Sequence, residues 1–303
     1  MNLKDEIKKL EEWKRLTEYE GKDRVVSSEE VAEELSKTKE NTFSFNTKVP
    51  SLDRILNGVE SGELIIVTGP TGGGKTTLLT SITSNIASEI PVVWFTLEMT
   101  NRQFLAKFDT LPHFFMPAEN VEYHVQWLIE RIAESVAKYN VKMVFIDHLH
   151  EMLSLDHYNG KNMSLEIGDV VAKIKHLAIQ YNLVIWLVAH STDDKNHYTR
   201  EPRMSDVRDS GMITRIAHTV MGVWRIPNDY LGNEATMGEC EESDTHAKVR
   251  IWKNRREGTR GYLLMEKIGK KLVELTKDFL PGETDSNKKV DKSKYHRSLY
   301  PED

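Results

Sequence analysis

The chain has 303 residues and a formal net charge of -6, which is long enough for one large α/β domain with appendages or for two small domains. The acidic balance excludes a global basic field, so any contact with nucleic acid falls to local loops. A single cysteine, Cys240, excludes an internal disulfide and a four-cysteine zinc site.

Residues 1–20 are highly charged and carry no secretory pattern. Leu3, Ile7, Leu10 and Trp13 recur three or four apart there, which predicts an amphipathic helix. Ser27 and Glu30 form a capping-box pattern ahead of a second helix with Val31 and Leu35. Residues 1–45 thus read as a helical extension that either packs on its own core or docks on a neighbouring subunit. Val49–Gly58 reads as a short helix capped at Ser51 and ended by Gly58. Ser61-Gly62 then turns the chain into Leu64-Ile65-Ile66-Val67, a β-branched apolar run typical of a buried strand.

Gly69-Pro70-Thr71-Gly72-Gly73-Gly74-Lys75-Thr76 follows at once, with four arbitrary residues between a glycine and Gly-Lys-Thr. Leu78, Leu79, Ile82 and Ile86 then recur at helical spacing. Strand, glycine loop and helix in this order form a phosphate cradle, because loop and helix N–H groups turn partial positive charge toward a β/γ-phosphate. Gly69, Gly72, Gly73, Gly74, Lys75, Thr76 and Thr77 are the nucleotide-binding candidates. Lys75 supplies a mobile positive charge and Thr76 an oxygen ligand for Mg²⁺. The expected cofactors are ATP, or another NTP, and Mg²⁺.

Val92 to Leu97 reads as a second buried strand with Glu98 at its C-terminal end, where ligands gather in open parallel sheets. A carboxylate there is placed to activate water; it would equally suit the start of a helix over 100–108. A proline-containing loop (Leu111 to Asn120) and an amphipathic helix (Val121 to Tyr139) lead into Val141–Ile146 and Asp147, the second nucleotide signature, whose carboxylate orients Mg²⁺ through water. Leu155–Ser164 is a polar loop before a helix with Ile167, Val171, Ile174 and Leu177. The strand Leu183–Ala189 is the longest apolar run and far too short to cross a bilayer. It delivers His190 to the same edge of the sheet, as a γ-phosphate contact or a solvated strand end. With no leader and no membrane span, the expectation is a cytoplasmic protein.

Thr192–Asp206 is a long charged loop of the kind that is uncommon in compact domains unless it is functional. Ser205-Asp206-Val207-Arg208-Asp209-Ser210-Gly211 follows, then a helix and the strand Thr219–Arg225. Residues 228–245 are acidic and polar and read as a solvated excursion. The strands Ala247–Lys253 and Gly261–Lys267 flank Asn254-Arg255-Arg256-Glu257-Gly258-Thr259-Arg260, a turn dense enough in guanidinium to meet phosphate or simply to be solvated. From Pro281 the composition is that of a disordered tail.

Taken together, Gly69–Thr76, Phe95–Met99, Phe145–Asp147, His190, Ser205–Gly211 and Lys253-Asn254-Arg255 occur in an order that resembles the RecA-like motor domain of DnaB-type hexameric replicative helicases, over about Pro50 to Lys267. The resemblance implies an α/β fold: a RecA-like P-loop NTPase core with a mostly parallel central sheet flanked by helices, over 46–280, between the N-terminal helices and a tail over 281–303. It implies that Glu98 polarises the attacking water and that His190 contacts the γ-phosphate. Lys253 and Arg255 become a trans-acting finger reaching nucleotide on the next subunit, so that all four are catalytic. Arg208, Asp209 and Gly211 become contacts to a single-stranded DNA backbone, and Thr76 and Asp147 the metal-orienting pair.

Three departures stand out. His190 occupies a position where bacterial members usually carry Gln and phage or mitochondrial ring helicases carry His, which implies a phage-like lineage and a bacterial host cytoplasm. Asp209 shortens the usual Glu. Residues 1–45 are too short for the family's collar or primase domain. The resemblance therefore implies a motor that self-associates as a hexameric ring on single-stranded DNA, with a separate primase or other replisome proteins as partners and no membrane. A RecA-like recombination-mediator or regulatory ATPase without processive unwinding is the alternative. A nucleotide-gated adaptor is a further one, which an intact Glu98 and Arg255 disfavour.

Overall fold

The computed structural model describes residues 3–21, 24–37, 43–119, 124–148, 163–191, 201–207, 210–226 and 245–275. The chain divides into two units, Met1–Asn41 and Thr42–Asp303. The first holds helices α1 (Leu3–Thr17) and α2 (Ser28–Lys37). The Ser27 hydroxyl accepts from the Glu30 N–H at 3.1 Å and donates to the Glu30 carboxylate at 3.3 Å, so the start of α2 uses the capping pair expected from the sequence. Leu10, Trp13 and Leu16 of α1 are exposed.

The second unit is built on a sheet whose elements run β1 (Ser44–Phe45), α3 (Pro50–Leu56), β2 (Val59–Glu60), β3 (Leu64–Thr68), α4 (Lys75–Ile86), β4 (Val92–Thr96), α5 (Asn101–Leu105), α6 (Val125–Tyr139), β5 (Met143–Asp147), α7 (Met163–Gln180), β6 (Val184–Val188), α8 (Ser210–Ile216), β7 (Thr219–Arg225), β8 (His246–Asn254), β9 (Gly261–Ile268) and β10 (Lys271–Glu274). Eight strands lie in the order β10-β9-β8-β7-β3-β6-β5-β4. From β7 to β4 every pairing is parallel, and from β7 to β10 every pairing is antiparallel. β1 and β2 form a separate two-stranded ribbon.

Both faces of the parallel half are covered, which is why its strands read as continuous apolar runs rather than as alternations. Along β3, Ile65 and Val67 pack with Leu78 and Leu79 of α4, with Trp94, and with Phe145. Leu64 and Ile66 point the other way, into a core with Leu128 and Ile132 of α6 and Val171 and Ile174 of α7. These four apolar side chains of β3 are fully buried, each worth about 1.5–3 kcal/mol relative to exposure. Trp94 fixes the first layer. Its ring stacks on Phe145 at 4.7 Å and its indole N–H donates to Thr83 at 3.0 Å.

One expected detail is corrected. Helix α3 is not capped by Ser51: Val49 is the cap residue and Pro50 opens the helix. Pro50, which has no N–H to satisfy, is pre-set for a first helical position. The Ser51 backbone N–H instead donates to Glu274 at 2.9 Å, and its hydroxyl bonds the same carboxylate. That contact ties α3 to β10, a strand not anticipated from the sequence. Residues 228–244 and the tail from Pro281 lie outside the described residues.

Candidate functional site

β3 ends at Thr68 and the chain swings through the glycine loop into α4. Gly69 has φ 142° and Gly74, at the helix cap, φ 103°. A Cβ on Gly69 would lie 2.0 Å from the Val223 carbonyl oxygen on β7. Only glycine lets the loop pass that strand. Lys75 is buried, and its ammonium donates to the Gly69 and Pro70 carbonyls, both at 2.9 Å. Burial holds its pKa below the usual lysine value, an effect that the Asp147 and Glu98 carboxylates partly oppose.

Parallel registry brings the remaining groups to the same edge. Thr96 at the end of β4 pairs with Asp147 at the end of β5, and the Leu97 N–H donates to the Asp147 carbonyl at 3.3 Å. Glu98 and His148 therefore leave their strands side by side. The Thr76 hydroxyl donates to Asp147 Oδ2 at 3.0 Å. Asp147 is fully buried, and its Oδ1 has no hydrogen-bond partner.

These oxygens suit Mg²⁺, a hard cation that takes one or two protein oxygens and completes its shell with phosphates and water. Among the described residues no group of three or more His, Cys, Asp or Glu side chains could hold a metal by itself, so such an ion would depend on the nucleotide.

A cavity of about 540 Å³ opens over the loop, with Lys75, Thr76, Thr77, Glu98 and His190 in its wall. That volume lies within the usual range for small-molecule and cofactor sites. The structure thus brings the phosphate-loop residues, Glu98, Asp147 and His190 together. Two residues that the sequence reading did not single out join them. Arg225, at the end of β7, lines the cavity and donates from Nε to the Gly72 carbonyl at 2.8 Å. His148 lines it beside Glu98. The far wall (Thr245, His246, Lys267 and Leu272) comes from the antiparallel half of the sheet.

Lys253 and Arg255 are elsewhere. Lys253 pairs with Val220 near the start of β7, whereas the cavity lies at the Arg225 end, five positions on. At about 3.3 Å per residue that is a separation of roughly 16 Å along the strand. The Lys253 ammonium donates to the carbonyls of Thr214 at 2.6 Å and Ala217 at 2.8 Å, at the C-terminal end of α8. Arg255 donates to Arg215 O at 2.7 Å. Partial burial and the neighbouring Arg255 and Lys175 push the Lys253 pKa down to about 8. Arg256 binds its own chain instead, donating to Gly58 O at 2.7 Å and approaching Glu60 at 2.8 Å.

Gly211 is exposed in the first turn of α8; Arg208 and Asp209 lie outside the described residues. The segment just before them is fastened to the sheet. Ser191 bridges Val207, and buried Glu201 pairs with Lys248 and, at 2.9 Å, with Arg250 of β8.

A mostly parallel sheet carrying a phosphate loop at its edge, with acidic strand ends beside it, defines a RecA-like P-loop NTPase domain. Within that class, the family model of the DnaB-like helicase C terminal domain matches residues 44–111 and 106–267. The chain belongs to this family. Among its relatives, the replicative DNA helicase DnaB of Mycoplasma genitalium is 26% identical over 213 residues, 59% of this chain and 46% of that protein. The chain thus spans about half the length of such relatives. One solved ATPase domain superposes with a TM-score of 0.62 at 16% identity, covering 82% of this chain and 97% of that one. A DnaB-like replicative helicase described with its interactions with primase gives 0.61 at 16% identity, covering 90% and 72%. No described helix is long and apolar enough to cross a membrane.

Proposed function

We propose that this chain is the ATP-hydrolysing motor of a replicative DNA helicase, which assembles as a ring on single-stranded DNA and separates duplex strands. Gly69, the Gly72–Gly74 amides, Lys75 and Thr77 hold the phosphates. Glu98 accepts a proton from the attacking water, and His190 contacts the γ-phosphate. Bound Mg²⁺ would neutralise charge on the β- and γ-phosphates, with Thr76 and Asp147 as the residues that hold it. Arg208, Asp209 and Gly211 grip the DNA backbone without regard to base sequence. A separate primase is the expected partner.

One observation carries the ring reading. The cavity and the pair Lys253 and Arg255 sit at opposite ends of β7. A finger so placed serves a neighbour's nucleotide rather than its own, and supplying such a group in trans is worth several orders of magnitude in hydrolysis.

The test is the ATPase rate of the purified chain against protein concentration, with and without single-stranded DNA, followed by strand displacement on a forked duplex. A specific rate that rises steeply with concentration and with DNA is expected. A rate linear in protein and indifferent to DNA, with no displacement, would overturn the proposal.

A further inference from the structure

His148 follows Asp147 in the chain and has no part in the scheme above. Its backbone takes φ 64°, the left-handed region, which costs an ordinary L residue roughly 1–2 kcal/mol. A bare turn at this point would be served as well by glycine or asparagine. The turn places the imidazole, with only 8% of its side chain exposed, in the cavity wall. There Nδ1 lies 2.8 Å from Glu98 Oε2 and 2.9 Å from Asp147 Oδ1. Neither approach has the geometry of a formed hydrogen bond, and His148 Nδ1 and Asp147 Oδ1 both stay buried without a partner. A buried donor or acceptor left unmade costs about 1–3 kcal/mol, so a small rotation that turns the single Nδ1–H between the two carboxylates, as one shared donor, is favoured. The His190 ring flanks the other side, its centroid 4.7 Å away.

We propose that His148 is a positioning residue for hydrolysis: its Nδ1–H ties the Glu98 carboxylate to Asp147 and keeps Glu98 aimed into the cavity. This rests on the reading of Glu98 as the water-activating base. Glu98 stands beyond the end of its strand with 47% of its side chain exposed, so it needs an outside restraint to hold one orientation. Orientation of a reacting group governs rate through the fraction of time spent in attack geometry. The Lys75 ammonium is held by the Gly69 and Pro70 carbonyls rather than by the imidazole, so the effect falls on turnover rather than on nucleotide binding.

The test compares nucleotide affinity, KM and kcat for the full chain and its H148A, H148N, H148Q, E98Q and H148A/E98Q variants. Asparagine carries an N–H close to the Nδ1 position and tolerates the left-handed backbone, whereas glutamine places its amide nearer Nε2. H148A is expected to lower kcat roughly ten- to hundredfold, as loss of an orienting partner typically does, with affinity held within about twofold. H148N recovers most of that rate and H148Q does not. Adding H148A to E98Q costs little more, because the two residues act as a unit.

If E98Q is inactive while H148A turns over like wild type, the positioning role is refuted and the base assignment stands. Equal rescue by H148N and H148Q, or a loss confined to affinity, refutes it as well. If E98Q hydrolyses ATP at the wild-type rate, the base assignment fails and the positioning role goes with it.

Discussion

His218 joins the phosphate-loop strand to its neighbour, and the joint should be acid-sensitive. The His218 backbone N–H donates to the Leu64 carbonyl at 2.9 Å, and its ring Nδ1 accepts from the Leu64 N–H at 3.0 Å. The second bond requires an unprotonated Nδ1. Burial, followed by Lys175, Arg255 and Lys253, lowers the pKa of the ring from 6.5 to about 4. The folded state therefore binds fewer protons than the unfolded state between those values. The stability linked to His218 is complete above pH 6.5 and is lost as the pH falls toward 4. A fully enclosed group with that shift would contribute about 3 kcal/mol; screening of this half-buried ring leaves on the order of 1–2 kcal/mol.

The H218N variant keeps an acceptor near Nδ1 and does not titrate. Urea unfolding of both proteins from pH 4 to 7.5 would give a difference curve, in which the raised carboxyl pKa values of Asp53 and Glu63 cancel. Wild type should lose its stability relative to H218N as the pH falls through that window. Parallel curves for the two proteins would refute the argument. H218A should be destabilised by about 1–3 kcal/mol even at pH 7.5, since it leaves the N–H of fully buried Leu64 without a partner.

Three further outcomes are expected. K75A removes the ammonium held on the loop and should abolish nucleotide binding in a fluorescent-ATP titration; retained tight affinity would contradict the phosphate-loop assignment. R255A should bind ATP normally and hydrolyse it orders of magnitude more slowly, and mixing it with E98Q should restore turnover, because the E98Q subunit donates an intact Arg255 to a site with an intact Glu98. Absence of rescue in mixed assemblies would place the finger in cis or remove it. R208A should weaken single-stranded DNA binding and lower the salt slope by about one while DNA-free ATPase activity persists; unchanged DNA affinity would remove Arg208 from the grip.

The parallel half of the fold was legible because buried parallel strands and their crossover helices write local patterns. Leu64–Val67, Val92–Phe95, Met143–Ile146 and Val184–Val188 are uninterrupted apolar runs, and their flanking helices show a regular period. The antiparallel extension was legible only in part. β8 and β9 carry enough apolar residues to be recognised, but β10 is four residues long and is held by Glu274 on Ser51, a contact across more than two hundred positions. The cap of α3 was misread for the same reason. A serine near a helix start is a capping signal only when its hydroxyl has no stronger distant partner, and here a carboxylate claims it.

The site divides along the same line. The residues of the phosphate loop sit at fixed offsets in one motif, so the loop announces itself. Glu98 and Asp147 could be matched because Asp147 ends an apolar strand and Glu98 follows one within two residues. Arg225 and His148 carry no such mark: an arginine closing a strand and a histidine following an aspartate are ordinary in isolation. Arg225 reaches Gly72 only because β7 is the neighbour of β3, and His148 meets Glu98 only because β4 pairs with β5 in a register that aligns Thr96 with Asp147. Strand order and register are global properties, decided by which apolar faces bury one another, and no local window of sequence contains them. The same reasoning separates Lys253 and Arg255 from the cavity. Their chemistry suits phosphate, but their place at the opposite end of β7 keeps them away from the cavity of their own chain, which is why the proposed role for them is one across an interface between subunits.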